Sequence, residues 1–204
     1  MKALICIIVL AAGSSTRFGR NKLLEKIDGS TMIEKVVGSA ASSKADEVIV
    51  VLGHEARRVK EALKNFQCKF VFNEDFERGQ SYSVKAGVKS VMGYADAVMV
   101  LPGDVALITP KSINMVIEEY ETSGGSIIVA SHEGRLGHPI LFDRCLFDEI
   151  MEINEETMGL KAVLNRRGDV IKKVEVGSNE VLIDVDSEED LKKISKVKIL
   201  SKRQ

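Results

Sequence analysis

A three-layer α/β domain with a mostly parallel sheet is the fold this chain predicts, and two observations carry the expectation. Short apolar, β-rich runs recur at residues 3–10, 48–52, 70–72, 97–101 and 127–130, as strands buried on both faces do. Between them, apolar residues return at helical spacing: Met32, Ile33, Val36, Val37 and Ala40; Val59, Ala62 and Leu63; Ile113, Val116, Ile117 and Tyr120; and later Leu146, Phe147, Ile150 and Met151. Alternation of this kind layers helices over a parallel sheet. Ligands of such sheets sit beyond the carboxyl ends of the strands.

The first run ends at Leu10 in the segment LAAGSSTRFGRNK, residues 10–22. Ala11, Ala12 and Gly13 let a backbone approach a ligand closely, and glycine adopts the positive φ of tight turns. Successive N–H groups in such a loop form a concavity for anions. Arg17, Arg20 and Lys22 add cations suited to phosphate. No Gly-Lys-Ser/Thr closes the loop, and Gly13 and Gly19 are spaced wrongly for a dinucleotide fingerprint. A nucleoside triphosphate is the ligand this chemistry suggests.

Composition narrows the alternatives. At 204 residues, the chain suits one domain over residues 1–204, with 197–204 expected to fray. A hydrophobic content of 45% with 29% charged residues is that of a soluble globular protein. The net charge of −1 offers no general attraction to nucleic acid or membrane, so neither is an expected partner. The apolar start lacks a cleavage site and reads as the first strand, and no apolar stretch reaches the ~20 residues of a bilayer span. Cys6, Cys68 and Cys145 are odd in number and far apart, which fits buried thiols in a cytoplasmic protein.

Three further segments offer chemistry. Gly103-Asp104 follows the strand at 97–101; a lone Asp there ordinarily caps or turns, yet Mg²⁺ also asks for one or two carboxylates beside phosphate. Arg78-Gly79-Gln80-Ser81-Tyr82-Ser83 opens a helix whose free N–H groups and hydroxyls can cap it or read a ligand. Near the end stands LIDVDSEEDL, where Asp184 and Asp186 share one side of an extended strand. Asp186 also suits the N-cap of a helix over 187–194, with Glu189 as capping partner.

The segment LAAGSSTRFGRNK resembles the L-A-(A/G)-G-x-(S/G)-x-R-(M/F)-G-x-x-K signature of the MobA-like nucleotidyltransferases, which share a Rossmann-like domain and transfer NMP from an NTP to a phosphorylated acceptor. The resemblance implies that Leu10, Ala11, Ala12, Gly13, Ser14 and Ser15 wrap the triphosphate, with Arg17 and Lys22 on its oxygens. It extends to VMVLPGDVALIT, whose Asp104 would hold Mg²⁺ beside Gly103, with Ala106 at the usual Pro. Gly79, Ser81 and Ser83 match a nucleotide-side segment. Asp184 and Asp186 match the family's terminal D-x-D, where a strand end supplies an oxygen ligand, with Ser187 and Glu188 at the usual Thr and Pro. The resemblance implies Asp184 as that metal ligand, with Asp186 the alternative. Gly137-His138-Pro139 resembles the acceptor-side motif of the molybdenum cofactor cytidylyltransferase branch, where His is suited to donate to the acceptor phosphate. One departure stands out: Thr157 fills the Asp position of the family's G-D-x-G segment, with Glu155 and Glu156 as neighbouring substitutes.

The resemblance implies a Mg²⁺-dependent transferase moving CMP from CTP to molybdopterin, with Arg17, Lys22 and Asp104 catalytic and molybdoenzymes as downstream partners. LAAG points to cytidine, the guanylyl branch usually reading LAGG, so the Ala12 methyl is expected to limit room for a purine. The alternatives are guanylyl transfer to molybdopterin, NMP transfer to a sugar or polyol phosphate, and a non-catalytic nucleotide-binding or cofactor chaperone protein.

Overall fold

A computed structural model describes residues 2–192. In chain order its elements are β1 (Ile5–Ala11), β2 (Lys26–Ile27), β3 (Ser30–Thr31), α1 (Met32–Ala41), β4 (Glu47–Leu52), α2 (Ala56–Ala62), β5 (Lys69–Phe72), α3 (Gln80–Val91), β6 (Ala97–Pro102), α4 (Pro110–Ser123), β7 (Ile127–His132), β8 (Arg135–Asp143), α5 (Phe147–Met151), α6 (Leu160–Arg166) and β9 (Ile171–Glu175). Seven strands form one sheet in the order β5-β4-β1-β6-β8-β7-β9. Six run in the same direction, and β8 alone runs against its neighbours β6 and β7. The expected three-layer, mostly parallel fold is the one observed.

The central strand shows why. Every residue of β1 is buried, because β4 and β6 flank it in parallel register and helices cover both faces. Ile5, Ile7, Val9 and Ala11 point into a core shared with Val36 and Val37 of α1, Val59 of α2 and Ile113, Val116 and Ile117 of α4. Cys6, Ile8, Leu10 and Ala12 point the other way, toward Val84, Val88 and Val91 of α3, Ile150 of α5 and Val163 of α6. The period-two alternation of a strand thus distributes one apolar run between two cores. Where α3 crosses β1 the backbones come so close that a Cβ at Gly87 would collide with Ile8.

Helix ends follow local chemistry. Thr31 and Glu34 form a capping box on α1. Thr109 caps α4, Pro110 takes its first position, and Gly124 closes it in the left-handed region at φ 60°. Two residues of positive φ, Asp28 and Gly29, make the tight turn of the small β2–β3 hairpin.

Some expectations are corrected. Cys6 is buried, but Cys68 is half-buried and Cys145 is exposed, so not every thiol fills core. Ser187, not Asp186, caps the helix that begins at residue 188: its hydroxyl accepts from Asp190 N–H while the Asp190 carboxylate takes Ser187 N–H and O–H. Glu189 is not the capping-box partner; that place belongs to Asp190, three residues after the cap. The rest of the helix expected to residue 194, and the tail at 197–204, lie outside the described residues. Among the described residues no helix is long and apolar enough to cross a membrane.

Candidate active site

The carboxyl ends of β1, β4 and β6 open on one cleft of about 1500 Å³. Roughly 300–1,000 Å³ is usual for a pocket that takes one small ligand, so this one has room for two. One wall is the loop after β1. Gly13, Ser14, Ser15 and Thr16 line it, and the loop is bent by Ser15 and Gly19 at φ 53° and 74°. Asn21 caps the next turn, its Oδ1 accepting from Leu23 N–H at 3.2 Å, while Lys22 N–H donates to Ser15 Oγ. His54 N–H holds the Ala12 carbonyl at 3.0 Å, tying the loop to the end of β4. Gly103 N–H donates to the Leu10 carbonyl across the β1–β6 junction, an approach so close that a Cβ there would stand 2.8 Å from that oxygen.

Lys22 occupies the floor. Its Nζ lies 2.7 Å from Asp104 Oδ2 and 2.9 Å from Asp186 Oδ1, and the lysine side chain is only 14% exposed. Burial alone would lower its pKa; attraction to Asp104 and hydrogen bonds to both carboxylates outweigh that and raise it. Asp104 Oδ1 is buried with no hydrogen-bond partner among the described residues. Asp184 stands in the same cleft mouth, reached by water yet walled by protein. That desolvation, with repulsion from Asp104 and Asp186, lifts its carboxyl from 3.8 to about 6, against the pull of Lys22. Among the described residues no three His, Cys, Asp or Glu side chains are grouped to hold a metal ion by themselves.

This charge arrangement has a pH signature. Unfolded, Asp184 titrates near 3.8; folded, it keeps its proton to about pH 6. The proton-linked stability is complete below the lower value and is lost as pH rises through the higher one. Asp184→Asn is therefore expected to match the parent chain at pH 4 and to melt at a higher temperature at pH 7, as thermal unfolding of the ligand-free proteins would show.

Another part of the wall joins the start of α3 to the segment that carries Glu155. Ser81 N–H donates to Glu155 Oε1 at 2.7 Å, so Glu155 closes the start of α3; a side chain at Gly79 would collide with that carboxylate. Ser81 Oγ is buried and unpartnered among the described residues. Ser83 also lines the cleft, its Oγ accepting from Asn73 Nδ2 at 3.1 Å. Of the two neighbours of Thr157, Glu155 lines the cleft and Glu156 does not. Thr157 itself is turned back on Asn154 by three hydrogen bonds.

The sequence candidates sort clearly. Leu10, Gly13, Ser14, Ser15, Lys22, Gly79, Ser81, Ser83, Gly103, Asp104, Gly137, His138, Asp184 and Asp186 all line the cleft. Ala11 and Ala12 do not: their methyls enter the two cores, at 1% and 3% exposure, leaving only backbone to face a ligand. Direct restriction of the base by the Ala12 methyl is thereby corrected. Pro139 is buried and stays off the lining. Arg17 lies in the turn Thr16–Phe18, and its side chain is outside what the structure describes. Arg20 is drawn off by Glu25 at 2.6 Å and Glu188 at 2.8 Å, which ties the loop to the last described segment. His54 and Phe76 line the cleft unforeseen; for His54 the signal was its place just past a parallel strand's carboxyl end.

Gly137 and His138 have separable roles in the wall. His138 Nδ1 is buried without a partner among the described residues, and burial lowers the imidazole pKa against the pull of Asp104. The ring therefore faces the cleft neutral at pH 7. A Cβ at Gly137 would run into the Val181 carbonyl oxygen. Gly137→Ala is expected to cost ~1–3 kcal/mol by overpacking, read from chemical denaturation; an unchanged midpoint would show that the 179–182 turn yields freely.

Comparisons with known proteins bear on the family and the fold. A model of the MobA-like NTP transferase domain matches residues 7–170. The bifunctional protein GlmU of Desulfotalea psychrophila is 29% identical over 157 residues, 74% of this chain but 45% of its own length. The chain thus spans less than half of that curated relative. A nucleotidyl transferase from Methanothermobacter superposes with a TM-score of 0.83 at 23% identity, covering 97% of this chain and 99% of that one. Rv0371c from Mycobacterium tuberculosis H37Rv superposes with a TM-score of 0.83 at 26% identity, over 96% and 99% of the two chains, and has also been solved in complex with manganese.

Proposed function

Since this chain belongs to the MobA-like NTP transferase family, we propose that it transfers a nucleoside monophosphate from an NTP to a phosphorylated acceptor and releases pyrophosphate. An acceptor phosphate oxygen attacks the α-phosphorus; the new P–O bond forms as the bond to the β-phosphate oxygen breaks, and its electron pair leaves with pyrophosphate. The attacking oxygen is already anionic, so neither a covalent enzyme nucleophile nor a strong base is required. Catalysis is positioning with electrostatic stabilisation.

The observation that carries this reading is Lys22, lodged with Asp104 and Asp186 at the foot of the Gly-Ser loop. Gly13, Ser14 and Ser15 offer backbone N–H groups to the triphosphate, and Lys22 and Arg17 are its cations. The carboxylates suit a divalent cation: Asp104 Oδ1 is unpartnered and Asp184 and Asp186 stand beside it. Because these groups do not by themselves enclose a metal, phosphate oxygens would complete the shell, as Mg²⁺ sites commonly have it. When bound, that cation supplies charge neutralisation on the triphosphate; magnesium is the choice read from the sequence, and the manganese complex of Rv0371c supports a divalent ion. Neutral His138, which lines the cleft, would hydrogen-bond an acceptor phosphate through a ring N–H.

CTP with molybdopterin is the first pair to test, on the LAAG and Gly137-His138-Pro139 motifs. A sugar or polyol phosphate is the second acceptor, favoured by Thr157, which turns away onto Asn154 where the family has an Asp. Pyrophosphate release from each NTP against molybdopterin and a panel of phosphorylated sugars and polyols decides. Release with no NTP and acceptor pair would overturn the transferase reading; release only with a sugar phosphate would overturn the molybdopterin assignment.

A further inference from the structure

Two carboxylates, 82 and 164 residues from Lys22 in the chain, converge on its single ammonium group. While it is held there, the ammonium is not available to a triphosphate, nor are those oxygens available to a metal. Resting on the transferase reading, we propose that Lys22 is the resident counter-ion of the Asp104–Asp186 pair. Asp104 and Asp186 then accept a divalent cation only together with the NTP, whose phosphates draw the Lys22 ammonium away.

The charges require such an exchange. Among the described residues, Asp104, Asp184 and Asp186 bring three carboxyl groups around the Lys22 ammonium, and a dication added beside that ammonium meets strong repulsion over a few ångströms. A nucleoside triphosphate brings enough negative charge to hold both cations. The movement needed is small. Lys22 is anchored through its backbone, N–H to Ser15 Oγ at 3.3 Å and carbonyl to Glu25 N–H at 3.0 Å, so a swing of its flexible stem suffices. Ser15 belongs to the loop that lines the cleft, so the ammonium has phosphate-binding backbone within the same wall. Asp186 is 47% exposed, so water can replace the lost partner during the swap. A purely structural ion pair has no need to face the cleft; this one forms its floor.

The test is a titration of the full chain with Mn²⁺ alone, following free Mn²⁺ by electron paramagnetic resonance, then with CTP and GTP analogues carrying an α,β-methylene bridge. The parent chain should bind Mn²⁺ at least about tenfold more weakly than Lys22→Met when no nucleotide is present. A nucleotide analogue should close that gap. Lys22→Gln serves as a second variant, with circular dichroism to confirm folding, and Asp104→Asn added to Lys22→Met should abolish the gained affinity. Equal Mn²⁺ affinity of the parent chain and the folded Lys22 variants overturns the exchange. So does parent-chain affinity for Mn²⁺ that an analogue, once bound, does not raise. Failure of any analogue to bind counts against the transferase reading instead, and the Mn²⁺-only comparison still decides the role of Lys22.

Discussion

Lys22→Ala is expected to lower the rate of NMP transfer by about 10²–10³, the usual consequence of deleting one preorganised charge from a transition-state site. On the proposed mechanism the substitution removes a cation that would neutralise the leaving group, and it uncovers the carboxylates that Lys22 balances. The fold should persist. Lys22 ends in the cleft, and the turn that carries it is fastened by Asn21 and by backbone hydrogen bonds the variant retains. The measurement is kcat and KM for pyrophosphate release, with circular dichroism on the same sample. A full rate from folded variant protein would remove Lys22 from the chemistry.

The second large effect belongs to Asp104. Asparagine keeps the shape and the backbone carbonyl that receives Val185 N–H, but it deletes the charge facing Lys22 and the unpartnered oxygen beside it. Asp104→Asn is expected to slow transfer by about 10² or more and to raise the divalent cation concentration needed for half-maximal rate. Asp186→Asn should cost less, since that side chain is 47% exposed against 20% for Asp104 and water can replace it. A larger loss for Asp186→Asn would reverse the ranking of the two carboxylates.

Most strands that could be read in advance were those sealed on both faces. The run at 70–72 also reads as a strand, but it is β5 at the sheet edge, half-buried or exposed, which corrects its expected burial on both faces. β1, β4, β6 and β7 are continuous apolar runs, and such runs need no knowledge of their neighbours. β9 reads Ile-Lys-Lys-Val-Glu at the sheet edge, half-buried at best, and its pattern does not separate it from a loop. The β2–β3 hairpin has two residues a side, too short for any period. In the site, Lys22 and Asp104 were legible because each belongs to a local motif with its own chemistry. Their meeting with Asp186 was not, because contact across 164 residues is a property of sheet order. Arg20 shows the same limit: its charge suits phosphate, and only the fold reveals that Glu25 and Glu188 claim it. Asp186 was misread as a cap because Ser187, one residue on, has the better hydroxyl and a partner in Asp190.

The reversed strand β8 has a consequence for how this architecture can diversify. A parallel strand delivers its last residue to the cleft, and the loop beyond it can lengthen without disturbing the sheet. β8 delivers its first residues, Arg135 to His138, and they leave a turn of just Glu133 and Gly134, at φ 50° and 77°. Loop length is therefore a free variable after β1, whereas the wall built by β7 and β8 is a stiff hairpin with its register already set. On the proposed function, new acceptors would be accommodated there residue by residue, by exchanging side chains on a ribbon that cannot stretch. Insertions meant to alter that wall belong at the hairpin tip, where added chain leaves the pairing of Ser131 with Leu136 in place.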